Sequence, residues 1–141
     1  MILPDVNILI YAVDPTAANH GRYRDWLDSV INGDGIYGMS PQVLSFVLRI
    51  LTNRRAVRNP QPLEKVLAFA NLLIDRPNCQ IVQPGPGHWR IFSDLCRKTN
   101  ARGDLVPDAW FAALAIESGC EWITLDRDFR RFDGLRVRTP F

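Results

Sequence analysis

A helix and a strand joined by a tight turn can be read between Asp104 and Asp128, and that pairing narrows the folds open to this chain. Gly103 and Asp104 stop what precedes. Pro107 suits a first helical turn, where its missing N–H costs little. Ala109, Ala112, Ala113 and Ile116 recur at helical spacing, and their small size lets a helix lie close to a sheet. Ser118-Gly119 supplies the stop. Trp122-Ile-Thr-Leu then reads as a short strand that ends at Asp126 and Asp128. One carboxylate, Asp108, thus falls at a helix start and others at the carboxyl end of a strand. That is the edge at which open α/β sheets bind ligands. Taken singly, Asp108 is a common helix-dipole partner and Asp126-Arg-Asp128 a common solvated turn.

The rest of the chain repeats the alternation. Ile2-Leu-Pro reads as a buried strand, and Asp5 falls just after it, with Asn7 two residues on. A carboxylate inside an apolar run is expensive unless a cation, a donor or a helix N-terminus meets it. Tyr23, Trp26, Leu27, Val30 and Ile31 form a helical stripe, and Asn32-Gly-Asp-Gly ends it. Ile36-Tyr-Gly-Met is a short strand candidate. Ser40-Pro41 has the form of an N-cap followed by Pro at the first helical position, and the helix it opens runs to about Asn53. That helix is apolar around most of its circumference, leaving Gln42, Ser45, Arg49 and Thr52 as its polar stripe. So much apolar surface predicts a homodimer. A basic loop from Arg54 to Pro62 leads to a helix over Leu63 to Ile74. A strand follows within Asn78 to Val82. Trp89, Phe92, Leu95 and Cys96 share a helical face that should point inward. Leu135 and Val137 belong to a last short strand. Short apolar strands alternating with helices argue an α/β fold, one domain over residues 1–141 with a central, mainly parallel sheet flanked by helices.

Composition closes off other classes. At 141 residues, 47% hydrophobic, with mean hydropathy −0.08, the chain should fold on its own core. No apolar run reaches membrane-spanning length and no basic leader precedes Asp5, so a cytoplasmic protein is expected. Cys79, Cys96 and Cys120 are odd in number and lack metal-ligand spacing, which makes them reduced core residues. His20 and His88 do not build a zinc site with them. No Gly-x-Gly-x-x-Gly marks a dinucleotide site. Asn7 stands where an aspartate-nucleophile phosphatase needs its second acid. The positive side chains are 15 Arg and 2 Lys, on a net charge of +2. Arg54, Arg55 and Arg58 cluster beside Arg49, and Arg127 and Arg130 cluster with Arg131, Arg136 and Arg138. Local basic patches on a near-neutral chain fit contact with a limited stretch of nucleic acid.

Asp5, Asp108 and Asp126 all fall at the inferred ligand edge. Packed close, they raise one another's pKa, and a hard divalent cation relieves the repulsion. Carboxylate oxygens without His or Cys select Mg²⁺ or Mn²⁺.

These residues resemble a family. Leu-Pro-Asp5-Val-Asn7, Val-Pro-Asp108-Ala-x-x-Ala-Ala-Leu-Ala and Ile-Thr124-Leu-Asp126-Arg-Asp128-Phe, in that order, are similar to the acidic motifs of PIN-domain ribonucleases of the VapC toxin type. Arg49-x-x-Thr52 and Phe132-x-Gly134-Leu resemble one branch of it. The resemblance implies an α/β/α fold, Mg²⁺-dependent cleavage of RNA, a homodimer, and a cognate VapB-type antitoxin whose tail blocks the site. It implies Asp5 and Asp108 as metal ligands, with Asp126 and Asp128 completing the catalytic set. Asn7, Asp104 and Thr124 would be accessory, and Arg49 would act on an Asp or on the scissile phosphate. One departure stands out. The family pattern places a Glu on the second long helix, and Ser40-Pro-Gln-Val-Leu-Ser-Phe46-Val-Leu-Arg49 contains no acid. A catalytically weakened RNA-binding or interaction module is therefore the alternative.

Overall fold

The computed structural model describes all 141 residues. Five short strands form one parallel sheet: β1 (Ile2–Pro4), β2 (Tyr37–Met39), β3 (Cys79–Ile81), β4 (Glu121–Ile123) and β5 (Arg136–Arg138). Six helices flank it: α1 (Val6–Val13), α2 (His20–Ile31), α3 (Pro41–Leu51), α4 (Leu63–Ile74), α5 (His88–Thr99) and α6 (Leu105–Glu117). A 3₁₀ turn covers Arg127–Arg131. The strand order is β3-β2-β1-β4-β5, and every pairing is parallel.

That order fixes where a ligand goes. The chain builds outward from β1 through β2 to β3, then crosses back to lay β4 on the other side of β1. The crevice between the carboxyl ends of β1 and β4 is the topological switch point of the sheet. Pro4 pairs with Ile123, so Asp5 and Thr124 are the first residues past the paired ends. The Asp5 N–H continues the ladder by donating to the Ile123 carbonyl at 2.9 Å.

Local signals explain the helix ends. Asp5 caps α1, its carboxylate accepting from the Val6 N–H at 2.6 Å. Ser40 caps α3 by accepting from the Gln42 N–H at 3.2 Å, with Pro41 at the first helical position. Gly119, at φ +68°, ends α6 in the left-handed conformation that glycine adopts without penalty. In β2, Gly38 is required by space, because a Cβ there would meet the Val82 side chain at 2.9 Å.

The core is continuous from the strands into the helices. Trp122 of β4 is fully buried and stacks with Phe111 of α6 at 5.7 Å between ring centroids. Phe129 closes its other side at 5.2 Å. The alanines Ala109, Ala112, Ala113 and Ala115 are wholly buried, as expected of a helix lying tight on a sheet. Two expectations need correction. Trp89 lies 68% exposed rather than in the core, because it sits about 100° round α5 from the buried His88, off the packed face that runs through His88 and Leu95. The apolar circumference of α3 is covered mostly within the chain, by α1 and α4, and none of its large apolar side chains is fully exposed. The α4 leucines Leu63 and Leu72 are exposed instead. All three cysteines are free, as expected.

Candidate active site

The carboxyl edge at the switch point opens into a cleft of about 260 Å³. Asp5, Asn7, Asp104, Asp108 and Asp126 line it, together with Ile10, Phe46, Arg49 and Ile50. Four aspartates from three separate stretches of sequence therefore meet in one place.

Each is held there for a physical reason. Asp5 is 6% exposed, wedged between the end of β1 and the first turn of α1. One of its oxygens takes the Val6 N–H; the other accepts from the Thr124 hydroxyl at 2.5 Å. Thr124 is also buried, and its Oγ1 accepts in turn from the Asp126 N–H at 3.0 Å and the Asn7 amide at 3.4 Å. A single hydroxyl thus ties the ends of β1, β4 and α1 together. Asp126 caps the 3₁₀ turn by accepting from the Asp128 N–H at 2.8 Å. Asp108 sits in the first turn of α6. Asp104 occupies the N-cap position of α6 but accepts no capping bond, which leaves its carboxylate free in the cleft.

The cluster is electrostatically uncomfortable. Burial pushes the Asp5 carboxyl up to about 7 against the Thr124 and Val6 hydrogen bonds, and Asp108 and Asp126 add repulsion. Asp108 is raised to about 6, first by burial and then by Asp126, Asp128 and Asp104. Such a set fits a divalent cation, which binds the ionised forms and cancels the repulsion. The buried Oδ1 of Asn7 has no hydrogen-bond partner, and a cation or a water carried by one would satisfy it. No three of the acidic side chains converge closely enough to form a ready-made chelate.

Residues 2–135 match the PIN domain family. Over 141 residues the chain is 37% identical to Ribonuclease VapC25 of Mycobacterium tuberculosis, spanning 99% of both proteins. It is 34% identical to Ribonuclease VapC43 of the same species, over 99% of this chain and 95% of that protein. The chain belongs to the PIN-domain family, in its VapC ribonuclease branch. The fold agrees. VapBC2 from Rickettsia felis, bound to a DNA fragment from its promoter, superposes with TM-score 0.72 at 16% identity, covering 99% of this chain and 98% of that one. The sarcin–ricin loop cleaving toxin VapC20 of M. tuberculosis superposes with TM-score 0.64 at 18% identity, over 96% and 99%.

Within this VapC-type PIN domain the expected residues divide. Asp5, Asn7, Asp104, Asp108, Asp126 and Arg49 line the cleft, and Thr124 lies behind it, bonded to Asp5. Asp128 stands at the rim, exposed, with Arg131 4.0 Å away. Arg127 and Arg130 line a neighbouring basic hollow with Arg138 and share Asp126 with the cleft. Arg54, Arg55 and Arg58 are exposed on the α3–α4 loop and do not line the cleft.

Two expectations about α3 change. Of its polar stripe, Arg49 alone reaches the cleft lining; Gln42 turns to α6 and accepts from the Trp110 indole N–H at 2.8 Å. Arg49 makes no ion pair with any aspartate of the cleft. Its guanidinium lies 4.8 Å above the Phe46 ring. The cleft face of α3 is Phe46, Arg49 and Ile50, and the family's helical glutamate has no acidic counterpart there. Phe46 and Ile50 carried no site signal in the sequence, because an apolar residue on an apolar helix gives no sign of facing a cleft.

Proposed function

We propose that this chain is a Mg²⁺-dependent endoribonuclease acting as the toxin of a type II toxin–antitoxin pair, with Mn²⁺ as the other ion the site suits. The observation that carries the reading is the meeting of Asp5, Asp108 and Asp126 at the switch point of the sheet, in a chain similar over its full length to VapC ribonucleases. Asp5 and Asp108 would hold the cation. When bound, such an ion lowers the pKa of its water and screens charge on a phosphoryl oxygen. Asp126, which caps the 3₁₀ turn, and the free carboxylate of Asp104 would accept a proton from an attacking water. Asp128 adds negative charge at the rim. Thr124 holds Asp5 in orientation, and Asn7 offers a neutral oxygen beside it. Arg49, free of carboxylates, is available to a non-bridging phosphate oxygen. Arg127 and Arg130 extend the basic surface along which a strand would run, and Arg54, Arg55 and Arg58 add more distant phosphate contacts.

A VapB-type antitoxin is the proposed partner, by similarity to relatives of known pairing. A homodimer is proposed as well, its apolar contact now drawing on Leu72 of α4 as well as the half-buried side of α3. No helix is long and apolar enough to cross a membrane, and the proposed site of action is the cytoplasm.

A second reading is favoured by one observation: α3 supplies no acid to the cleft. The chain would then bind RNA or a partner without cutting. Incubation of the purified chain with RNA in Mg²⁺ and in EDTA separates the two. Cleavage in Mg²⁺ that EDTA abolishes supports the nuclease; RNA retention without cleavage supports the binding module.

A further inference from the structure

The cleft is lined by apolar side chains as well as carboxylates, among them Ile10 from α1 and Phe46 and Ile50 from α3. A hydrated cation and a phosphate make no use of an apolar ring. Phe46 is also rigidly mounted. Its ring meets Phe111 edge-on at 5.3 Å and 82°, and Phe111 stacks in turn on the buried Trp122. The ring is thus the outermost member of an aromatic ladder rooted in β4, and it stays half-exposed. Arg49 lies over it at 4.8 Å although four aspartates line the same cleft. This guanidinium makes no ion pair with any of them. Phe46 and Arg49 together give the cleft a cationic and aromatic patch beside its aspartates.

Unpaired nucleobases fit that surface. They stack on aromatic rings and on guanidinium planes, whereas a base within a duplex has both faces occupied by its neighbours. Arg49 can serve base and backbone at once, since its faces stack while its edge N–H groups donate to phosphate. We propose that Phe46, with Arg49 over its ring, seats the unpaired nucleobase adjoining the scissile phosphate. This rests on the ribonuclease reading above. It also gives the acid-free face of α3 a use, as a platform for a base.

The test removes the base instead of the whole nucleotide. After the cut is mapped in a single-stranded oligoribonucleotide, two further substrates carry an abasic site on either flank of the scissile phosphate. Single-turnover cleavage is measured for wild type, Phe46→Ala and Phe46→Trp, with thermal melts alongside. Wild type should prefer the intact substrate over one abasic substrate by about ten- to a hundredfold in kcat/KM, the usual worth of one stacked base. Phe46→Ala should cut both within threefold of each other, and Phe46→Trp should restore the preference. If Phe46→Ala slows both substrates equally and keeps the preference, the ring acts only through Arg49 or through packing, and the base seat is wrong. Wild type cutting intact and abasic substrates alike would overturn it too. Binding of a 2-aminopurine-containing single strand in EDTA gives a readout without cleavage. Wild type should quench the fluorescence and Phe46→Ala should not. Quenching in a wild type that cuts no RNA would sink the nuclease reading and spare the base seat; cleavage without quenching would do the reverse.

Discussion

The Thr124 hydroxyl donates to the Asp5 carboxylate over 2.5 Å, joining the ends of two neighbouring parallel strands that are 119 residues apart in the chain. The bond favours the ionised form of an acid that burial otherwise neutralises. Thr124→Val keeps the shape and removes the donor. The Asp5 pKa should then rise further, and Mg²⁺ affinity should fall by about 10- to 100-fold, the usual effect of losing a partner behind a metal ligand. Thr124→Ser should stay within a few-fold of wild type. Mg²⁺ titrations of cleavage rate for the two variants check this, and equal behaviour of Val and Ser would refute the role.

The raised acids make stability depend on pH in a defined direction. Asp5 and Asp108 ionise near 7 and 6 in the folded chain, against 3.8 for an ordinary aspartate. Between about pH 4 and 7 the unfolded chain therefore releases these protons first, and their contribution to stability is lost as pH rises through that window. Asp5→Asn removes the larger share while keeping an N-cap side chain. In EDTA, the melting temperature of Asp5→Asn relative to wild type should climb from pH 4 to pH 7.5. Added Mg²⁺ should raise the wild-type melting temperature at pH 7.5 and hardly move the variant's. A difference between the two proteins that stays flat with pH would contradict the assignment.

Arg49 is expected to stabilise charge on the phosphate. Arg49→Ala should lower kcat/KM by about 10²-fold, the cost of one well-placed donor. Arg49→Lys should recover part of that, since the planar fork is lost. Single-turnover rates on one RNA at fixed salt are the check. A loss below threefold with unchanged melting would leave Arg49 as an ordinary surface arginine lying along its helix.

Leu72 is exposed on α4, and a homodimer would cover it. Sedimentation at low micromolar concentration should give twice the chain mass. Leu72→Glu should shift the protein toward monomer, because a buried carboxylate without a partner is costly. A wild type that is monomeric throughout would rule the dimer out.

How much of this was legible in the sequence differs by residue. The ends of elements were, because capping and stop signals act locally: Ser40-Pro41, Pro107 and Gly119 all sit where their chemistry predicts. Asp5 was legible for a different reason, since a carboxylate in an apolar run demands an explanation. The order of the strands was not, because nothing local says that β4 returns to the far side of β1. The same gap hid Phe46. Periodicity shows that a helix has apolar faces but not which neighbour each meets, so one facing a cleft looks like one facing the core. Trp89 failed in the opposite sense: its spacing fitted the inward face, yet it lies about 100° round the helix from the buried His88, off that face. Arg49 was visible on a polar stripe, but only the fold shows that it stacks on Phe46 instead of pairing with an aspartate.

The central claim is that the cleft holding Asp5 and Asp108 is a metal-dependent centre for cutting RNA. It is tested most directly by single-turnover cleavage of a defined RNA by wild type, Asp5→Asn and Asp108→Asn, in Mg²⁺ and in EDTA, with melting curves to show that each variant folds. Wild type should cut in Mg²⁺ and not in EDTA, and both variants should be inactive while melting at or above the wild-type temperature. Cleavage by either folded variant at the wild-type rate in Mg²⁺ would contradict the account.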